Sequence, residues 1–213
     1  ILDDKILDAI TDKYQITEIY HLAALLSSKA ESSPDLAQQV NVGGTVKLLN
    51  MAIDQSKNQN TKIKFFFPSS IAVYGLKGLK NKIKAGKITE QEHCFPETMY
   101  GCNKLYCEHL GRYYSLYYKS GSIDFRSIRF PGLISAHTMP TGGTTDYAPE
   151  MLHAAATNKQ YTCFVSENTK LPFMMMDDAI DAIIRLMETD QKYLTEMIYN
   201  IGSFSVSALE FKN

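Results

Sequence analysis

Tyr100 and Lys104 stand four residues apart in the run Pro96-Glu97-Thr98-Met99-Tyr100-Gly101-Cys102-Asn103-Lys104. If the run is helical, both side chains leave one face, a turn apart. A free phenol titrates near ~10 and is protonated at neutral pH, whereas a lysine charge beside it favours the phenolate. Such a pair can act as a general acid or base. The chain holds 13 tyrosines in 213 residues, so chance pairs are expected, and a surface tyrosine beside a lysine is the plain alternative. The neighbours of the pair decide between the two readings.

Those neighbours read as alternating strands and helices. A short helix is expected over Ile6–Tyr14, then a strand over Ile16–Ala24 that ends in small residues, which lets a ligand approach its carboxyl end. Ser33-Pro34-Asp35 is a helix start, with Ser33 as cap and Pro34 in the first position. Val42, Val46, Leu49 and Ile53 carry that helix on. Ile63-Lys64-Phe65-Phe66-Phe67 is the apolar run of a parallel strand covered on both faces; it stops at Pro68, where Ser69 and Ser70 supply hydroxyls. A solvated basic loop from Lys77 to Lys87 precedes the Tyr100 helix, which is expected to reach about Tyr118. Phe125–Phe130 is the next strand and ends at Pro131-Gly132. This rhythm means a doubly wound parallel sheet. Farther on, Thr141–Asp146 is a turn and cap before a helix through Met151 to Ala156, and Tyr161–Val165 is a strand. Met176-Asp177-Asp178 opens a helix, Ile198–Ile201 is a last strand, and Ser207-x-x-Glu210 is a capping box.

Composition sets the limits. A chain that is 45% hydrophobic and 21% charged can bury a proper core. Lys+Arg 22 against Asp+Glu 23 leaves a net charge of -1, which points to neither a nucleic-acid nor a membrane partner. Cys94, Cys102, Cys107 and Cys163 form no Cys-x-x-Cys pair and have no histidine at zinc-finger spacing, so no metal site is expected. They read as reduced thiols of an intracellular compartment, cytoplasmic, or mitochondrial in a eukaryote.

Hydroxyls after a Phe-rich strand, Tyr100 and Lys104 on the following helix, and Pro-Gly ending the next strand together resemble the extended short-chain dehydrogenase/reductase superfamily. His21-Leu22-Ala23-Ala24, Asn41-Val42-Gly43-Gly44-Thr45, Ser69–Gly75 and Arg129–Gly132 are similar to its recurring blocks. The resemblance implies a Rossmann-like α/β fold with a small C-terminal substrate-binding portion. Residues 1–135 would be the remainder of the NAD-binding domain and 136–213 mostly the substrate portion, with Met176–Ile201 packing back on the first part. The superfamily's Gly-x-x-Gly-x-x-Gly phosphate loop is absent, since the earliest glycine is Gly43. The reading favoured here is that the sequence begins downstream of that loop. A relative that no longer binds dinucleotide is the other.

Within the superfamily, three blocks resemble the zinc-independent L-threonine 3-dehydrogenases: His21–Ser27, Pro131–Ser135 running on to Gly142–Ala148, and Leu171–Ile180. Nucleotide-sugar epimerases and dehydratases are the competing resemblance, and an inactive Rossmann-like binding domain a third. The first implies NAD-dependent oxidation of the 3-hydroxyl of L-threonine, a step of threonine catabolism that needs no metal. Tyr100 would take the hydroxyl proton. Lys104 would lower its pKa and hold the nicotinamide ribose, and Ser70, with Ser69 ranked second, would bond the reacting oxygen. Ser27, Thr144 and Thr145 would meet the carboxylate, and Asp146 would orient the ammonium, hold a neighbouring side chain or merely cap a helix. Leu22, Ala23 and Ala24 would line the cofactor's path, Asn41 would support the backbone, and Pro131 and Leu133 would touch the nicotinamide side. His21 is expected to be a strand residue with a satisfied ring. The resemblance also implies a homodimer through four helices, the Tyr100 helix among them.

Overall fold

The computed structural model describes residues 1–140 and 142–213; Thr141 of the expected turn lies outside them. Helix α1 spans Asp4–Lys13, with the Asp3 carboxylate accepting from Lys5 N–H at 3.0 Å. Strand β1 is only Glu18–Tyr20, because past Tyr20 the chain leaves the sheet. No sequence signal announced the next helix, α2 (Ser27–Ser32). Pro34 does open α3 (Pro34–Ala37), although Ser33 makes no side-chain cap bond. A π-helical turn over Gln38–Gly43 then leads directly into α4 (Gly44–Gln59).

Strand β2 (Ile63–Ser70) runs three residues beyond its expected end, straight through Pro68. The stretch expected as a basic loop contains a helix, α5 (Gly78–Ala85). Helix α6 (Met99–Leu116) carries Tyr100 and is capped by Thr98, whose hydroxyl accepts from Gly101 N–H at 3.0 Å. Strands β3 (Ile123–Phe130) and β4 (Gly132–Ile134), helix α7 (Tyr147–Ala156), strand β5 (Lys170–Met175) and helix α8 (Met176–Glu188) follow. Strands β6 (Ile198–Asn200) and β7 (Phe204–Ser207) and helix α9 (Ala208–Lys212) end the chain, with both arms of the Ser207/Glu210 capping box formed.

One sheet is wholly parallel, in the order β1-β2-β3-β6. The three consecutive phenylalanines of β2 explain its double winding, because successive side chains point to opposite faces. Phe65 and Phe67 stack on Phe125 (centroids 6.0 and 6.2 Å) beneath Leu49, Ala52 and Ile53 of α4 and Cys107 of α6. Phe66 faces the other way, with Ile128 and Phe130, against Ala179 and Met187 of α8. Each fully buried phenylalanine contributes roughly 1.5–3 kcal/mol.

A second sheet, β4-β5-β7, encloses a smaller core of Ile134, Tyr147, Ala148, Phe173 and Ala208. The strand expected over Tyr161–Val165 is irregular. Both edges of β5 are already taken by β4 and β7, so this segment only leans on the core through Cys163 and Val165.

Buried charge holds the sheet's upper end. Glu108 of α6 accepts from Arg129 Nε at 2.8 Å and from its Nη2 at 2.6 Å, and also from the Ser69 hydroxyl. Arg129 donates onward to the Tyr74 hydroxyl at 2.7 Å and to the Glu90 carbonyl at 2.8 Å.

Helix α6 lies on the sheet through Gly111, where an added Cβ would sit 2.1 Å from the Phe125 ring. Alanine gains up to ~1 kcal/mol of helix propensity over glycine, yet overpacking a filled core costs about 1–3 kcal/mol. The expected net effect of Gly111→Ala is therefore destabilisation, read as a lower urea midpoint with an unchanged slope; a raised midpoint contradicts this packing.

Candidate active site

The site begins with the place where β1 ends. In a parallel pair, alternate residues of β2 face β1: Lys64 N–H donates to Thr17 O at 3.1 Å, and Phe66 O accepts from His21 N–H at 3.0 Å. Pro68 is the next residue facing that way, and β1 has already gone. Its missing N–H therefore costs no ladder bond, which is why a proline is tolerated in an interior strand. Its carbonyl has no strand partner either, and it accepts from Lys104 Nζ at 2.6 Å.

Lys104 is 4% exposed, and its ammonium lies 4.6 Å over the Phe67 ring and 5.5 Å from the centre of the Tyr100 ring. Burial lowers its pKa to about 8. Tyr100 sits one turn back on the same face, half-buried, with the Ser70 side chain beside the phenol. The expectation that Lys104 lowers the phenol's pKa is not met. Burial pushes Tyr100 up to about 12, and the only opposing influence is Ser70. Desolvation of the phenolate sets the shift, while the ammonium lies over the ring and gives one N–H to the Pro68 carbonyl.

The structure separates the two serines. Ser69 is buried and bonded to Glu108, so it belongs to the framework. Ser70 accepts from Ala72 N–H at 3.1 Å as the cap of a 3-10 turn, Ile71–Val73, and this leaves its own proton to donate. It is both the strand-end cap and the partner of Tyr100. Gly101, absent from the expected site, makes the contact possible: a Cβ there would lie 2.2 Å from Ala72 O, so only glycine lets α6 start this close to β2.

His21 also departs from expectation. It lies just past β1, 3% exposed, and its ring is half satisfied. Thr45 Oγ1 donates to Asn41 O at 2.6 Å, so the 2.9 Å contact with His21 Nε2 has the imidazole donating; Nδ1 is buried without a partner. Burial first, and the Lys104 charge second, lower its pKa to about 4. Asn41 sits in the π-helical turn, a feature frequent at functional sites. Its Oδ1 accepts from Leu25 N–H at 2.7 Å and its Nδ2 donates to Leu25 O at 3.1 Å, pinning the segment that holds Leu22, Ala23 and Ala24. Leu22 is 66% exposed and Ala23 is exposed; Ala24 is half-buried. Nδ2 also donates to Asn103 Oδ1 at 3.1 Å, linking that segment to α6.

The four expected substrate residues form a second group. Ser27 is in the first turn of α2, and Ser28 N–H reaches Gly142 O at 3.4 Å, bringing the 142–146 loop beside it. Thr145 packs on Gly132, where a Cβ would be 3.0 Å from its own Cβ; Thr144 is exposed. Asp146 is not a side-chain cap. Its Oδ2 accepts from Gly142 N–H at 2.8 Å and Gly143 N–H at 2.6 Å, which closes the loop. Glu31 of α2, which sequence reasoning did not single out, accepts from Met99 N–H at 2.5 Å and fastens this group to the start of α6. Pro131 is buried at the β3–β4 junction, and Leu133 leans on the Phe66–Ile128–Phe130 cluster. Among the described residues, no group of three or more His, Cys, Asp or Glu could hold a metal ion, and no helix is long and apolar enough to cross a membrane.

A family model described as "NAD dependent epimerase/dehydratase family" matches residues 1–202. The chain belongs to that family. An uncharacterized epimerase/dehydratase of Staphylococcus haemolyticus is 40% identical over 205 residues, 96% of this chain and 60% of that protein. The chain thus spans about three-fifths of the length of the curated relatives it matches. Among solved structures, a partial-consensus L-threonine 3-dehydrogenase superposes with a TM-score of 0.87 at 38% identity, covering 98% of this chain and 64% of that one. The L-threonine 3-dehydrogenase of Trypanosoma brucei gives 0.84 at 37%, covering 98% and 61%. The parallel sheet and its helices are thus those of a Rossmann fold.

The depressed pKa of His21 fixes the sign of a pH effect in this family member. Between about 4 and 6.5 the unfolded chain binds the proton that the folded ring refuses, so stability falls as pH drops through that window. Between pH 7 and 4.5 the loss from this residue is on the order of 2 kcal/mol. Urea unfolding at the two pH values should show a correspondingly smaller drop in His21→Gln; equal drops contradict a buried neutral imidazole.

Proposed function

We propose that the protein is an NAD-dependent dehydrogenase that oxidises the 3-hydroxyl of L-threonine to 2-amino-3-oxobutyrate without a metal. The observation that carries this reading is the Ser70–Tyr100–Lys104 cluster at the carboxyl end of β2, in a chain that resembles L-threonine 3-dehydrogenases over nearly its whole length. The residues present fit the nicotinamide half of a dinucleotide. Exposed Leu22 and Ala23 follow the end of β1, and the buried Lys104 spends one N–H on Pro68 and keeps two.

When bound, NAD would accept the hydride from substrate C3 and bring a positively charged ring that favours the phenolate. Tyr100 takes the 3-hydroxyl proton as the C–O bond becomes C=O. Ser70, which accepts from Ala72 N–H and keeps its own proton, donates to the reacting oxygen. Lys104 offers its remaining N–H groups to the ribose. Ser27, Thr144 and Thr145 meet the carboxylate. Asp146 holds the loop that presents them, and the ammonium lies at that loop. Tyr106 and Tyr113 along α6 and Tyr117 at its C-terminal cap, each at least half exposed, form the face of a homodimer.

Assays of the full-length protein decide the point. Net NADH should form from L-threonine, survive a chelator, and fall by at least ~10²-fold in Tyr100→Phe while the fold and NAD affinity persist. Turnover of a UDP-sugar with no net NADH from threonine would favour a nucleotide-sugar epimerase; full activity in Tyr100→Phe removes the assigned base.

A further inference from the structure

Between the two halves of the site the chain makes an excursion that the proposed chemistry does not use. The excursion leaves and returns through a tight neck: Gly75 N–H donates to His93 O at 2.9 Å, and a Cβ on Gly75 would meet Phe95 O at 1.9 Å. Its return limb is anchored, because Glu90 Oε1 accepts from Asn200 N–H at 2.7 Å and Glu90 O accepts from Arg129. Helix α5 is thus held out from a fixed base.

Lys77, Lys80, Lys82, Lys84 and Lys87 fall in this stretch, with no carboxylate from Gly75 to Thr89. None of the five makes an ion pair among the described residues. The net charge of the whole chain hides this concentration. Lys80 and Lys84 are one turn apart and repel, and eight residues make a marginal helix in water. Ile83, 70% exposed, is flanked around the helix by Lys80 and Lys84 on one side and Lys82 on the other.

We propose that α5 docks on an anionic lipid surface. Negative headgroups relieve the lysine repulsion, the lysine stems lie along the interface, and Ile83 enters the boundary below. The same pattern fits a nucleic acid less well. Residues 76–92 include no aromatic side chain to stack on a base, and a phosphate backbone offers no place for Ile83. The proposal does not depend on the dehydrogenase reading.

Co-sedimentation of the intact protein with vesicles tests it. At low salt the protein should pellet with phosphatidylcholine vesicles doped with phosphatidylglycerol and not with phosphatidylcholine alone. It should be released near 1 M salt, where the Debye length falls to ~3 Å. Lys80→Gln/Lys84→Gln should lower partitioning about 30-fold, at ~1 kcal/mol per lysine. Ile83→Ser should lower it several-fold, and both variants should keep the wild-type urea midpoint. Equal partitioning on both vesicles, none on the anionic ones, or a double variant that binds like wild type would overturn the proposal. So would lysine-dependent binding of soluble polyglutamate without vesicle binding, which assigns an acidic polypeptide instead.

Discussion

One ammonium, taken out of water, organises this structure. Lys104 is buried against Phe67, and its bond to the Pro68 carbonyl exists only because β1 stops two residues short of pairing with it. A strand that ran on past Leu22, the register partner of Pro68, would claim that carbonyl and leave the charge unmatched. Burying an uncompensated charge costs several kcal/mol, so the strand end, the proline and the lysine stand or fall together. The same junction sets α6 against Ala72 through Gly101 and so brings the Tyr100 phenol to Ser70.

The electrostatics are those of a site incomplete by itself. Burial disfavours charge on both partners, raising the phenol and lowering the ammonium, and nearby His21 is held neutral by the same burial with the lysine's help. A phenolate is therefore expensive in the bare chain, and a further positive charge beside it would restore a base near neutral pH. The group of Ser27 and the 142–146 loop is placed by lighter links, Glu31 to Met99 and Ser28 to Gly142, rather than by a shared core.

The placement of the candidate cluster was legible where it rests on spacing. That Tyr100 and Lys104 share a face follows from the helical period; the apolar strand's end marked Ser69 and Ser70 alike, and only the family resemblance ranked Ser70 first. The three phenylalanines of β2 mark a strand buried on both faces because alternate side chains fill two separate cores. What the sequence hid was tertiary. Pro68 looked like a strand terminator because only the early end of β1 makes it harmless. Asp146 looked like a helix cap because the Gly142 and Gly143 N–H groups it accepts from lie upstream, outside the helix it precedes. Strands β4 and β7, of three and four residues, are too short to show a period. The direction of the phenol's shift depends on how deeply α6 buries it, which no spacing reports.

Burial holds the Tyr100 phenol neutral in the ligand-free protein, and its release as a base beside an arriving positive charge is the role proposed for it. Ultraviolet difference titration of wild type against Tyr100→Phe isolates this one phenol. Burial predicts ionisation near 12 in the ligand-free protein, and the proposed function predicts that adding oxidised NAD lowers it. A ligand-free value at or below ~10, unmoved by the dinucleotide, would contradict it.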